Sequence, residues 1–217
     1  MKLIINMKYL KLTTILLALV LFSACNQHGN AVASKGKEQE TARTSNGIDL
    51  IGDLNDKVKE LYKWNETKST HVDFEPLQLK ETDSVYAGLD LEIHKKRINE
   101  LRATNLFTDQ FISNYDKIGL IIDEKLRNKS WVWYVGELPP FGNGANPWCN
   151  CQDNPDNFWE KIILRDTNFA NNLATFNWSW GDGFNYKTKA VLANGIWKID
   201  YLEGFDPKVF LPNTQID

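Results

Sequence analysis

Apolar positions fall into three different patterns along this chain, and each pattern predicts a different kind of element. The first is no period at all: after Lys2, Lys8 and Lys11 the residues from Leu12 to Phe22 are apolar except for Thr13 and Thr14. Residues 26–48 then carry almost no large apolar side chain, too little to offset the entropy of ordering a chain. From residue 50 a helical period begins, with Leu54, Val58, Leu61 and Tyr62 on one face and Asp53 as the expected cap. Leu91, His94, Ile98 and Leu101 make a second stripe at spacings of three, four and three. Ile112, Tyr115, Ile122 and Leu126 make a third, preceded by Thr108 and Asp109 as candidate caps. Between the first and second stripes, residues 69–88 have no period and read as extended or irregular.

After Ser130 the period drops to two. The segment 131–138, WVWYVGEL, is rich in aromatic and β-branched residues and predicts a strand. A long loop dense in glycine, proline and asparagine follows. Four further strands are expected within residues 158–167, 172–181, 184–193 and 195–204. Asn194-Gly195 is a two-residue hairpin signal, and Gly181-Asp182-Gly183 marks the preceding turn. These turns predict an antiparallel meander, with Phe176, Trp178 and Trp180 on one face and Trp197, Ile199 and Tyr201 on another beside it. The expected fold class is α+β: three helices at the start of a domain, packed on a curved antiparallel sheet of about four to five strands.

The order of elements and the closing stretch KTKAVLANGIWKIDYLEGF resemble the nuclear-transport-factor-two-like cone, in which helices cover a curved sheet. Three stretches, LRATNLFTDQFISNYDKI, GELPPFGNGANPWCNC and GIWKIDYL, are similar to a family of exported bacterial lipoproteins with that fold and no assigned activity. The resemblance spans roughly residues 58–210 and implies a fold and a location, not a reaction.

The location also follows from the N-terminus. A basic start, a short apolar core and a small-residue end make a signal peptide over residues 1–24. The apolar core is roughly half of the ~20 residues that a membrane span needs. Phe22-Ser23-Ala24-Cys25 resembles a lipoprotein lipobox with phenylalanine in place of the commonest leucine. Lipidation of Cys25 is therefore expected, with residues 25–48 as a flexible tether and 49–217 as one α+β domain. By resemblance the location is the outer membrane of a Gram-negative bacterium, the domain facing the periplasm; a plain secretory signal cut after Ala24 is the alternative.

The formal charge is −3 and becomes about −6 once the three lysines of the signal are removed. With no basic stripe, a nucleic-acid partner is excluded, and membrane attachment rests on the lipid anchor.

Candidate chemistry is sparse. Cys149 and Cys151, one residue apart in the long loop, read first as a local disulfide formed in an oxidising compartment. Free thiols come next, and a metal or redox pair last, because structural zinc needs four ligands and the chain has no histidine after His94. No cofactor and no metal is expected. His94 on its apolar stripe is the one candidate base, with Asp200 or Glu203 to orient it if they reach the same space. Seven of the eight tryptophans follow residue 130. Most are core, and Trp148 and Trp180, beside the glycine-rich and cysteine-bearing loops, are the candidate ligand-stacking rings.

Three functional classes follow. The leading one is a non-catalytic binding lipoprotein for a small molecule or protein. The alternatives are a hydrolase or isomerase using pocket carboxylates with His94, and an accessory or immunity-type protein-interaction lipoprotein.

Overall fold

A computed structural model of the chain describes residues 49–181 and 183–211. The signal peptide, the tether, Cys25 and Asp182 lie outside the described residues.

Helix α1 (Leu50–Thr67) begins earlier than its apolar stripe suggests: Asp49 caps it, its Oδ1 accepting the Gly52 N–H at 2.9 Å. Asp53, the expected cap, lies in the first turn, where its charge complements the helix dipole. Leu54, Val58, Leu61 and Tyr62 are buried. A short antiparallel pairing, β1 (Pro76–Leu77) with β2 (Gly88–Leu89), is all the regular structure in the stretch that reads as irregular. Helix α2 (Leu91–Thr104) is capped by Asp90 and buries His94, Ile98 and Leu101, but also Arg97, while Leu91 stays exposed. Helix α3 (Asp109–Arg127) is capped by Thr108, which accepts the Phe111 N–H. The buried Asp123 of α3 accepts the Leu89 N–H at 2.8 Å and the Arg127 Nε–H at 2.7 Å, tying β2 to the helix.

The sheet is a four-stranded antiparallel meander: β3 (Ile163–Ala170), β4 (Leu173–Ser179), β5 (Tyr186–Ala193) and β6 (Ile196–Leu202), side by side in that order. The molecule is thus mixed α+β. Asn194 (φ 52°) and Gly195 (φ 76°) form the β5–β6 hairpin in the left-handed geometry that a two-residue turn demands. A bulge lies in β6: Lys189 pairs with Tyr201 and Ala190 with Ile199, leaving Asp200 extra. That one inserted residue reverses the alternation beyond it. Leu202, rather than the expected Tyr201, is buried below Trp197 and Ile199.

Two expected strands differ. Residues 131–138 form only an isolated bridge, Val85 with Tyr134. Their neighbour is a short segment that supplies just the Tyr86 N–H to the Trp133 carbonyl and accepts the Val135 N–H at Ser84. The chain then turns at Gly136 (φ 84°), so no ladder propagates. Residues 158–161 form a single 3₁₀ turn before β3 because Phe158 dives inward to pack on Tyr62 and Trp178. Beyond β6, a 3₁₀ turn (Glu203–Phe205) and a one-turn helix α4 (Pro207–Phe210) bring Phe205 and Phe210 back onto the core.

Trp178 is fully buried against Tyr62, ring centroids 4.4 Å apart, so α1 packs on the face of the sheet that carries Trp178. Burying each such ring contributes roughly 2–3 kcal/mol. No helix among the described residues is long and apolar enough to cross a membrane.

Candidate functional site

The loop from Leu138 to Cys151 lies within the long irregular stretch between α3 and the 3₁₀ turn at Phe158, and several local constraints give it one shape. Cys149 and Cys151 are disulfide-bonded, with Cα atoms 5.2 Å apart. Asn150 between them takes a left-handed φ of 53°, which asparagine tolerates better than most residues. The Asn146 N–H donates to the Cys151 carbonyl at 2.8 Å, and the Asn150 N–H donates to the Asn146 carbonyl at 2.7 Å. The buried Tyr186 hydroxyl anchors this turn from below, donating to the Pro147 carbonyl at 2.6 Å and accepting the Gly204 N–H at 2.9 Å. Gly204 lies so close to the Pro147 carbonyl that any side chain there would collide with it. At the other end of the loop, the Gly142 N–H donates to the Phe210 carbonyl at 2.8 Å.

Two clefts flank that Gly142–Phe210 tie, and both residues line each of them. One, of about 290 Å³, is mainly aromatic and apolar, with Phe74, Trp133, Leu138, Phe141 and Pro147 around a single carboxylate, Asp73. The other, of about 330 Å³, is the more polar of the two: Asn143, Asn150, Tyr201 and Glu203 line it beside Val209 and Phe210. A third, wider depression of about 570 Å³ lies against residues 82–87 and 126–132, apart from the loop.

Asp73 is the hub of a charge network that no local pattern announces. Its Oδ1 accepts the Arg97 Nε–H at 2.9 Å and the Tyr115 hydroxyl at 2.5 Å, and its Oδ2 accepts the Trp148 Nε1–H at 2.6 Å. Arg97 is 1% exposed, also reaches Glu100 at 2.9 Å, and lies over the rings of Trp64 and Trp148. Burial and the neighbouring Asp73 hold the Tyr115 phenol well above its usual range, so it remains a donor. Burial pushes the Glu100 carboxyl up, but hydrogen bonds from Thr70 and Arg97 outweigh it and leave the group below its ordinary value. Three donors hold the Asp73 carboxylate in place. Its partners come from α2, α3 and the loop, at sequence distances of 24, 42 and 75. Arg97 was the one available signal, a cation directly beside Ile98 of an apolar stripe.

The sequence-derived candidates are distributed differently. Trp148 is 3% exposed, with Trp64, Phe107 and Phe205 against its ring. Its N–H must find an acceptor when buried, and Asp73 supplies one. That leaves Trp148 no free face for stacking a ligand. Trp180 is half-buried, stacked on Phe184 with centroids 3.9 Å apart and edge-on to Phe158, and lies in neither cleft. His94 is buried; its Nε2 lies 3.0 Å from Asp116 Oδ1, and its ring lies parallel to Tyr115. Gly119 of α3 passes directly against the ring, and His94 Nδ1 is buried with no partner among the described residues. Asp200, turned aside by its bulge, accepts the Thr108 hydroxyl at 2.7 Å and so ties β6 to the cap of α3. Glu203 accepts the Lys187 N–H at 2.9 Å and lines the polar cleft. His94, Asp200 and Glu203 are therefore engaged with three separate sets of partners. The carboxylate that orients the imidazole is Asp116.

Among the described residues, no group of three or more His, Cys, Asp or Glu side chains is disposed to hold a metal ion. No protein-family model, no curated protein and no solved structure matches this chain.

Proposed function

We propose that this is an exported lipoprotein, attached to the outer membrane through acylated Cys25 and facing the periplasm. Residues 49–217 would form one cone-like domain, three helices on a curved sheet, that holds a ligand without transforming it. The signal-like N-terminus and the disulfide in the loop both support export to an oxidising compartment.

The observation that carries the binding reading is the pair of clefts flanking the Gly142–Phe210 tie. Their polar groups are pre-positioned by bonds to one another and to the backbone, on a loop closed by a disulfide. Such preorganisation favours binding because little ordering remains to be done. The engagement of Asp73 with three donors supports recognition over proton transfer. A second reading, a protein-interaction lipoprotein, is supported by the exposed side chains of Val132, Tyr134, Val135 and Leu138, the last of which lines the apolar cleft.

The test is native mass spectrometry of the full chain purified from envelope membranes in detergent. A mature mass that starts at a diacylated Cys25, together with a retained small adduct lost from Gly142→Trp, supports the proposal. An unmodified chain in the soluble fraction would overturn the anchor. Absence of any adduct, with co-elution of a stoichiometric protein, would favour the interaction reading.

A further inference from the structure

The polar cleft has the donor and acceptor pattern of a site for hydroxyl groups. Asn143 Nδ2 donates to Asn150 Oδ1 at 2.7 Å, and Asn150 Nδ2 donates to Glu203 Oε1 at 3.4 Å. Asn143 Oδ1 is occupied by the Ala145 N–H and Glu203 Oε2 by the Lys187 N–H. Each amide nitrogen has two hydrogens and each carboxylate oxygen two lone pairs. Among the described residues, the ladder thus spends one valence per group on holding itself in place and keeps one N–H on each asparagine and further lone pairs on Glu203.

A row of spare donors next to spare acceptors discriminates between ligand classes. A hydroxyl donates and accepts at once, so neighbouring hydroxyls can satisfy an asparagine N–H and a Glu203 lone pair together. An anion would meet Glu203, which no ion pair among the described residues neutralises, and Asp206 behind Tyr201. An apolar ligand would bury the amide N–H groups unpaired, at a cost. Tyr201, Val209 and Phe210 supply apolar surface on the same cleft, suited to the C–H face of a ring. A volume of about 330 Å³ is at the small end of ligand sites and admits one or two sugar rings.

We infer that the Glu203 cleft binds a neutral saccharide, through the free valences of Asn143, Asn150 and Glu203; this rests on the binding function proposed above. The disulfide and the left-handed Asn150 then have a role in the site: they fix the middle rung of the ladder.

The experiment is isothermal titration of the detergent-solubilised full chain with maltoheptaose, cellohexaose, chitohexaose and mannan, and with polygalacturonate as the anionic comparison. At least one neutral oligosaccharide should bind and polygalacturonate should not. Asn143→Ala and Asn150→Gly, the latter accepting the left-handed backbone, should each weaken binding about tenfold, the loss of one well-placed hydrogen bond. Their melting temperatures should stay near that of the parent. Leu79→Ala, an exposed position that lines neither cleft, should leave sugar affinity within about twofold. Binding of polygalacturonate alone, or neutral-sugar binding indifferent to Asn143→Ala and Asn150→Gly, would overturn the inference. Loss of binding in Trp133→Ala of the neighbouring cleft alone would move the ligand to the Asp73 cleft, overturning the saccharide site while leaving the binding function standing. No binding by any saccharide overturns the inference by itself. Only if native mass spectrometry also shows no adduct does the binding function fall with it.

Discussion

Asp73→Ala is the most informative single perturbation of this fold. It removes the acceptor shared by Arg97, Tyr115 and Trp148, at 2.9, 2.5 and 2.6 Å. Arg97, 1% exposed, then retains Glu100 as its one carboxylate partner. Removing one member of a buried ion pair costs about 3–5 kcal/mol because the other charge stays buried. The Asp73 side chain is 18% exposed, so water can enter the vacated space. This puts the expected cost at the lower end, about 3 kcal/mol. For a domain of this size that lowers the melting temperature by roughly 6–12 °C. Total stability is of the order of 5–15 kcal/mol, so the variant should still fold. The assay is urea unfolding at neutral pH, followed by tryptophan fluorescence and circular dichroism, for Asp73→Ala, Arg97→Met and the double variant. Because Arg97→Met removes the stranded charge, the double variant should cost at least about 1 kcal/mol less than the sum of the singles. Additive singles, or a cost below about 1 kcal/mol for Asp73→Ala, would show that the network is solvated and would refute the argument.

Four other outcomes follow from the structure. The Glu100 carboxyl is held below its ordinary 4.5, so its contribution is fully present above that pH and is lost as pH falls through the lowered folded value. Glu100→Gln should flatten the acid limb of the stability curve, and an unchanged limb would sink the assignment. Gly119→Ala drives a methyl into the His94 ring and should cost about 1–3 kcal/mol; in a His94→Ala background it should become neutral or stabilising, since alanine is the better helix former. Equal costs in the two backgrounds would mean that the ring is not the obstacle. Tyr186→Phe strips the bridge between Pro147 and Gly204 and should cost about 1–3 kcal/mol by urea midpoint; no shift in midpoint would show the bridge to be dispensable. The denatured mass of non-reduced protein should lie about two daltons below the full-thiol mass. Reduction should lower the melting temperature by only a few degrees, because so short a ring restrains little chain and three backbone bonds across the turn remain. A full-thiol mass would remove the clip.

Local signals carried much of the architecture. The apolar stripe of α1, the Thr108 cap, the Asn194-Gly195 hairpin and the meander depend on residues within one turn or one hairpin of each other, and composition expresses such constraints directly. The adjacent cysteines were equally legible, because two residues of chain cannot carry them far apart. The fate of residues 131–138 was not: a strand needs a partner, and whether one lies alongside is a tertiary fact. One unforeseen bulge at Asp200 exchanged Tyr201 for Leu202 on the core face.

The site was the least legible part. Glu203 was visible as a candidate, but its cleft is made with Asn143 and Asn150, 60 and 53 residues away in the chain numbering. Trp148 advertised itself as a ligand platform by its loop position, yet its indole N–H required an acceptor and the only way to reach Asp73 was inward. Arg97 and Asp73 meet across 24 residues with no periodicity between them. What this sequence determined by itself is what short-range chemistry controls: the caps, the turns, the helical faces and the cysteine clip. The tertiary structure alone decided which charges are buried, which ring is spent on the core and which amides share a cleft. Those outcomes depend on distances between segments that loop closure brings together, and no local pattern encodes them.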